Sequence, residues 1–378
     1  MADGKKSKVL APLVAIFVVY SIGAARPVPP ETTLVPLWLS SLEQGETQRF
    51  KEPESQAVPD GRVLPFTLGS RFGYFTQDGS LALNRVMEGS ISISGDKFSQ
   101  FGPQPLSVTV SGTDGEPLGV IDNPGGYPFF LDGKTFIMGR DQYTVSRVGN
   151  SGSVLWTFDF PGTVTVVAAS SGLFLAGLLD GTAVLLDGSG KQVFSFEPGG
   201  SRIPVIMGAA ISADGSRLAV VSGVDSQRFL LYEKFGAGSV DYRPVYHESL
   251  GDGLRRPVRV EFTGNGRNVI FERSDGLGVY DTAMRLTRSV EIEGSLRSLD
   301  SSGADGMVFA VFATEDGAQD NEASGERLDI FGISISGRVP ALVMRSTFRS
   351  HDVFLGRAGS SLVVGGGQVL AAFGLEKR

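Results

Sequence analysis

Histidine and cysteine carry most acid–base, nucleophilic and metal chemistry at neutral pH, and this chain of 378 residues has two of the first and none of the second. His247 and His351 stand in different parts of the sequence, so neither a two-histidine metal site nor a histidine-based triad is expected. The lack of cysteine excludes disulfides, thiolate zinc sites, a cysteine nucleophile and a lipidated cysteine. Chemistry would then fall to carboxylates. Asp-Gly pairs recur at Asp78, Asp132, Asp180, Asp214, Asp275 and Asp305, and carboxylates repeated around a ring can build a calcium site or an acid/base pair. Asp-Gly is also a leading hairpin-turn signal, and these pairs are read as turns. A further acidic group, Glu315, Asp316, Asp320, Asn321, Glu322 and Glu326 in the insertion 314–327, offers hard oxygen ligands without EF-hand spacing. It is read as a solvated loop between the second and third strands of a repeat. No catalytic residue, metal ligand or cofactor is expected, and the chain is not expected to be an enzyme.

What remains is recognition. The region 235–257 holds Tyr242, Arg243, Tyr246, His247, Arg255 and Arg256, side-chain types enriched at protein interfaces, and it is the candidate partner-binding surface. Its other reading is an outer strand with a long connection. The triplet Gly365-Gly366-Gly367 lacks the Lys-Ser/Thr of a phosphate loop. A net charge of −7 and a pI near 5.1 supply no basic field, so nucleic acid is not an expected partner.

The elements that must position these residues are short strands. With 51 glycines and no collagen period, the chain is rich in tight turns. From residue 62 onward apolar runs alternate with glycine turns, and no long helical period appears. Residues 163–198 show the unit most clearly: runs at about 163–170, 173–179, 182–187 and 191–197, separated by Ser171-Gly172, Asp180-Gly181 and Gly188-Ser189-Gly190. That is a four-stranded antiparallel meander. First glycine turns at Gly79, Gly133, Gly172, Gly215, Gly266, Gly306 and Gly359 step by roughly 47 residues, close to the period of propeller blades. The expectation is an all-β fold, a β-propeller of about seven four-stranded antiparallel blades, with six or eight left open by an irregular first unit, 70–122. The last unit lacks a fourth strand, and Arg62–Leu68 is expected to supply it and close the ring.

The runs GSVLWTFDF and LLDGTAVLLDGSGKQVFSF resemble repeats of the bacterial propeller superfamily related to pyrroloquinoline-quinone enzymes and the outer-membrane assembly propeller lipoprotein. AAISADGSRLAVVSG resembles blades of WD-repeat and translocation-associated propellers. The resemblance implies a propeller over most of 62–378 and carries little functional weight. The Trp-Asp pair of WD repeats is absent, and Trp38 and Trp156 cannot form the repeated docking ring of quinoproteins.

Ahead of the repeats, Lys5, Lys6 and Lys8 precede an apolar run over 9–25, closed by Arg26 and Pro27. Its 17 residues can just span a bilayer, and the positive flank predicts a cytoplasmic N-terminus. A cleavable signal ending near Gly23 or Ala25 is the rival reading, and either one exports the remainder of the chain. The expected organisation is a cytoplasmic end at 1–8, a transmembrane helix or signal at 9–25, a connector at 26–61 and the propeller at 62–378. In the connector, Leu34, Val35, Leu37, Trp38, Leu39 and Leu42 suit an interfacial helix beside the bilayer or an element packed on the propeller rim. Together these features predict a single-pass inner-membrane protein with its C-terminal domain periplasmic or extracellular. Its expected role is to bind or scaffold a membrane-associated protein, in envelope assembly for example. The alternatives are a ligand-binding sensor, marked by an apolar channel, and a quinoprotein-like oxidoreductase or hydrolase, marked by carboxylates and a cation site at the channel mouth.

Overall fold

The computed structural model describes residues 32–51, 62–236, 241–251, 253–314 and 325–377, and the regular elements among them are all β-strands. The described chain opens on a hairpin, β1 (Thr32–Ser41) and β2 (Thr47–Arg49). Blade 1 comes next with three strands, β3 (Val63–Leu68), β4 (Arg71–Thr76) and β5 (Leu81–Val86). Blade 2 holds β6 (Ser90–Ile93), β7 (Lys97–Phe101), β8 (Ser107–Gly112) and β9 (Pro117–Asp122). Blade 3 holds β10 (Gly126–Leu131), β11 (Lys134–Gly139), β12 (Thr144–Val148) and β13 (Val154–Asp159). Blade 4 holds β14 (Val164–Ser170), β15 (Leu173–Leu178), β16 (Ala183–Leu186) and β17 (Gln192–Phe196). Blade 5 holds β18 (Ile206–Ile211), β19 (Arg217–Ser222), β20 (Gln227–Phe235) and β21 (Asp241–Gly251). Blade 6 holds β22 (Val260–Phe262), β23 (Asn268–Arg273), β24 (Gly276–Asp281) and β25 (Leu286–Glu291). Blade 7 holds β26 (Ser295–Asp300), β27 (Met307–Thr314), β28 (Glu326–Ser334) and β29 (Ala341–Ser350). The last sheet, blade 8, has the order β2-β1-β32-β31-β30, with β30 (Phe354–Ala358), β31 (Ser361–Gly366) and β32 (Val369–Lys377).

First strands of neighbouring sheets touch, as β14 touches β18 and β18 touches β22, so the first strand of each blade lies at the axis and the last at the rim. Because every sheet is an antiparallel meander, first-to-second and third-to-fourth turns emerge on one face, here called the turn face. Each sheet is sandwiched between its neighbours, which is why middle strands such as β15, LFLAGL, and β23, NVIFER, are buried almost continuously instead of alternating. The buried residues fall into eight clusters, one at each seam between adjacent blades. The seams on either side of blade 2 are the smallest: Phe72, Tyr74 and Phe98 toward blade 1, and Val110, Ile121, Ile137 and Val148 toward blade 3.

The expected seven blades are therefore eight. The unit read as 70–122 is two blades, because blade 1 ends after three strands and blade 2 begins at Ser90 without an Asp-Gly turn. Closure also differs from expectation. The strand that completes blade 8 is β1, running antiparallel to β32 from Thr32↔Lys377 to Ser41↔Val369, whereas Val63–Leu68 is the inner strand of blade 1. Residues 32–49, expected within a connector, thus belong to the ring. The apolar patch around Trp38 packs inside it rather than at a bilayer. Trp38 is 3% exposed, meets Phe75 edge-on at 5.8 Å, and donates its indole N–H to the Gln77 carbonyl at 2.9 Å. Ser40 donates to the Gly79 carbonyl at 2.7 Å, and the Leu42 N–H donates to the Gln368 carbonyl at 2.9 Å.

The segment 9–25, expected to be a membrane helix, lies outside the described residues. Among the described residues no helix is long and apolar enough to cross a membrane, so the helix-plus-propeller architecture is corrected to an all-β ring. The single-pass inner-membrane placement is corrected with it, since the described fold contains no spanning helix.

If β1 holds blades 8 and 1 together, Trp38→Ala lowers the unfolding free energy by about 3–5 kcal/mol, as truncating a buried large aromatic does. The same change at the more exposed neighbouring Leu39 costs below about 1 kcal/mol. Urea unfolding of the two variants checks the difference; equal losses contradict it.

Candidate functional site

The Asp-Gly pairs are turns. Their six glycines all lie at positive φ, from 67° at Gly133 to 134° at Gly276, where a side chain would strain the backbone. The aspartates serve the same turns. Asp180 accepts the Thr182 N–H at 2.9 Å, Asp214 the Ser216 N–H at 3.0 Å and Asp305 the Met307 N–H at 3.1 Å, each the local bond that lets aspartate open a turn. In the acidic insertion, residues 315–324 lie outside the described residues, and Glu326 pairs with Arg297 at 2.6 Å. Among the described residues no three His, Cys, Asp or Glu side chains gather as a metal site. Asp329 is wholly buried in blade 7, yet it accepts from Arg345 at 3.0 Å, from Thr314 at 3.1 Å and from Thr347. Burial pushes its pKa up, and these donors outweigh burial and hold it below the ordinary carboxylate value.

The predicted cluster at 235–257 is dispersed along blade 5. Tyr242 is buried and donates its hydroxyl to the Gly215 carbonyl at 2.6 Å on the turn face. Arg243, beside it, points outward, pairs with Asp241 at 2.7 Å and lies over the Phe235 ring at 5.2 Å. Tyr246 is half-buried in the seam with blade 6, 4.5 Å from Tyr280, and bonds Glu248 and Thr287. His247 is exposed on the rim. Arg255 and Arg256 lie in the connection to blade 6 at the opposite end of β21, where Arg256 is tied to the buried carboxylate of Glu272. Successive residues of a strand face opposite sides, so adjacency in sequence does not make these six side chains one surface.

A different feature is an open strand edge. Blade 1 has three strands, and among the described residues no strand pairs with the outer side of β5. The Met87 N–H donates inward to the Ser70 carbonyl at 2.8 Å, so the alternation of an antiparallel ladder turns the backbone groups of Val86 and Asn84 outward. The one described bond to them is a long one, 3.4 Å, from the Gln100 side-chain amide to the Val86 carbonyl. The neighbouring rim strand, β9, shows what a fourth strand would have covered. Its Ile121 packs toward blade 3, while Leu118 and Val120, pointing the other way toward blade 1, are 55% and 46% exposed. Val86 at the end of β5 is 53% exposed. The turn of blade 2 reaches across, with Gly115 close against Leu83 and the Arg85 guanidinium, which lies 5.9 Å from the Phe98 ring. The result is a notch between β5 and β9, with outward backbone groups on one side and bare aliphatic side chains on the other. No motif marks it in the sequence; the one signal was the length of 62–122, which is too long for one blade.

The channel mouth on the turn face forms a cavity of about 600 Å³ lined by the inner strands of blades 3 to 7. Its walls are mainly aliphatic, and Glu261 is among the few polar groups on them.

A ring of antiparallel sheets with a rim notch and a channel pocket defines the class, a β-propeller. The chain belongs to a family of β-propeller proteins whose model matches residues 1–320. It is 27% identical over 287 residues to an uncharacterized protein of Treponema pallidum (strain Nichols), covering 75% of this chain and 74% of that protein. Among solved structures it is similar in fold to BamB from Moraxella catarrhalis, with a TM-score of 0.58 at 14% identity over 90% of this chain and 98% of that one. The Dos1 propeller gives a TM-score of 0.57 at 11% identity, over 90% and 95% of the two chains. A chain of the Mitotic Checkpoint Complex gives 0.52 at 13% identity, over 86% and 96%.

The Asp214 turn yields a pH test. The Ser212 hydroxyl is the largest influence on its carboxylate; together with the hydroxyl and amide of Ser216 it overcomes burial and holds the pKa down to about 2. A depressed folded pKa contributes stability above the unfolded value of about 4 and loses it as pH falls through the folded value. Wild type is therefore more stable than Asp214→Asn at pH of about 6, and the gap between their urea midpoints narrows from about pH 4 downward. A gap unchanged at low pH contradicts the assignment.

Proposed function

We propose that this chain is a non-catalytic, protein-binding propeller whose partner adds an extended strand to blade 1. The open edge of β5 carries the reading, because it supplies both requirements of strand addition. Outward backbone groups give the pairing, and Leu118 and Val120 give apolar contact for alternate side chains of the incoming strand. An exposed sheet edge beside bare aliphatic residues invites nonspecific pairing unless something covers it, which favours a dedicated partner. The fold shared with a chain of the Mitotic Checkpoint Complex, an assembly by its own description, is in keeping with a protein partner.

The test is affinity capture and crosslinking with purified full-length chain. Two variants block the notch by separate routes: Leu118→Asp/Val120→Asp charges its apolar wall, and Val86→Pro removes an outward N–H without touching the β4 ladder. Both are expected to keep a melting temperature within a few degrees of wild type and to reduce partner recovery at least about tenfold. Recovery of the same partner at wild-type levels by both folded variants contradicts the proposal.

A further inference from the structure

We propose that the channel mouth on the turn face is a second binding site, one that takes an alkylammonium group. It is separate from the rim notch and does not depend on the reading of that notch. On its blade 4 and blade 5 sides the cavity is bordered by small residues of the inner strands, Ala168 and Ala169 on β14 and Ala209 and Ala210 on β18. Across from them Val260, Phe262 and Leu299 complete an aliphatic and aromatic wall. A volume of about 600 Å³ falls within the range of small-molecule sites.

Two carboxylates reach this pocket, and they are not equivalent. Asp300 is already compensated: it accepts the Ser302 N–H at 3.0 Å and the Ser302 hydroxyl at 2.8 Å, and the buried Arg357 guanidinium lies 3.4 Å away. Glu261 draws its hydrogen bonds from one residue, Ser301, through the hydroxyl at 2.8 Å and the backbone N–H, and has no ion-pair partner among the described residues. Burial raises its pKa, and Asp300 adds to the rise, while the Ser301 bonds and Arg259 act against it. A carboxylate in this setting gains most from a ligand that brings its own positive charge and N–H donors. The small apolar walls then select a short hydrocarbon chain behind that charge. An aliphatic amine satisfies both demands, whether free or carried as the side chain of a peptide lysine.

Ligand-observed NMR and calorimetry with the full-length chain test this, using butylamine, Nα-acetyl-lysine methylamide and the neutral control butanol. Glu261→Gln removes the charge, keeps the shape and relieves a buried carboxylate without an ion-pair partner, so it retains the fold; Ala209→Leu fills the pocket. Binding of either amine that weakens at least about tenfold in Glu261→Gln and is lost in Ala209→Leu, with butanol inactive, supports the site. The tighter of the two amines identifies a free or a peptide-borne source. Absence of binding by both amines at millimolar concentration overturns the proposal, as does equal affinity for wild type and Glu261→Gln. Neither result bears on capture at the notch.

Discussion

The structure depends on one pairing, that of β1 with β32. Every other sheet is built from consecutive strands and closes locally, but a ring needs its first and last sheets to meet. Here the start of the described chain supplies the fourth strand of the final blade, so residues near 32 and 377 lie side by side. Without that pairing β32 would expose a long apolar edge, and the seam between blades 8 and 1 would open. The side chains that seal the seam come from β1 and the turn after it: Trp38 and Leu42 pack with Phe66, Leu68 and Phe75 of blade 1 and Val363 and Leu370 of blade 8. Hydrogen bonds from Trp38, Ser40 and Thr47 to the turn at Gln77–Gly79 fix the register between the two blades.

Closing the ring in this way also shapes the rim beyond it. The N-terminal hairpin completes and extends blade 8, which reaches five strands, while blade 1 has three among the described residues. With no fourth strand described there, the blade 1 side of β9 is uncovered, and this explains why Leu118 and Val120 are bare when Ile121, on the other side of the same strand, is not. The notch proposed as the binding edge is thus tied to how the ring closes. The channel pocket lies apart from it, bordered by inner-strand residues that include the alanines of β14 and β18.

Much of the architecture was legible in the sequence because its signals are local. The runs read at 163–170, 173–179, 182–187 and 191–197 correspond to β14 through β17 within a residue or two, since glycine turns and apolar runs act over a few positions. What failed was nonlocal. The closing strand pairs residues separated by more than three hundred positions, and TTLVPLWLSS carries no sign of which edge it joins. The seven-blade count failed where a three-stranded blade and one whose first hairpin lacks an Asp-Gly turn were merged. The notch proposed as a binding edge was invisible for a related reason: it is marked by a strand position that no described residue fills, and this leaves no sign in a sequence. The residues of 235–257 have interface-type side chains, but β21 sends Tyr242 inward and Arg243 outward, and the connection carries Arg255 and Arg256 to the other face, so they are not one surface.

The central claim, that β1 closes the ring in this register, can be measured directly because the chain has no cysteine of its own. Thr33 and Glu376 are register partners, whereas Thr33 and Leu375 face opposite sides of the sheet. Oxidising Thr33→Cys/Glu376→Cys is predicted to give a nearly complete intramolecular disulfide, seen as faster migration on a non-reducing gel, and a higher urea midpoint. Thr33→Cys/Leu375→Cys is predicted to stay largely reduced. Failure of the first pair to form, or equal formation of both, would contradict the account.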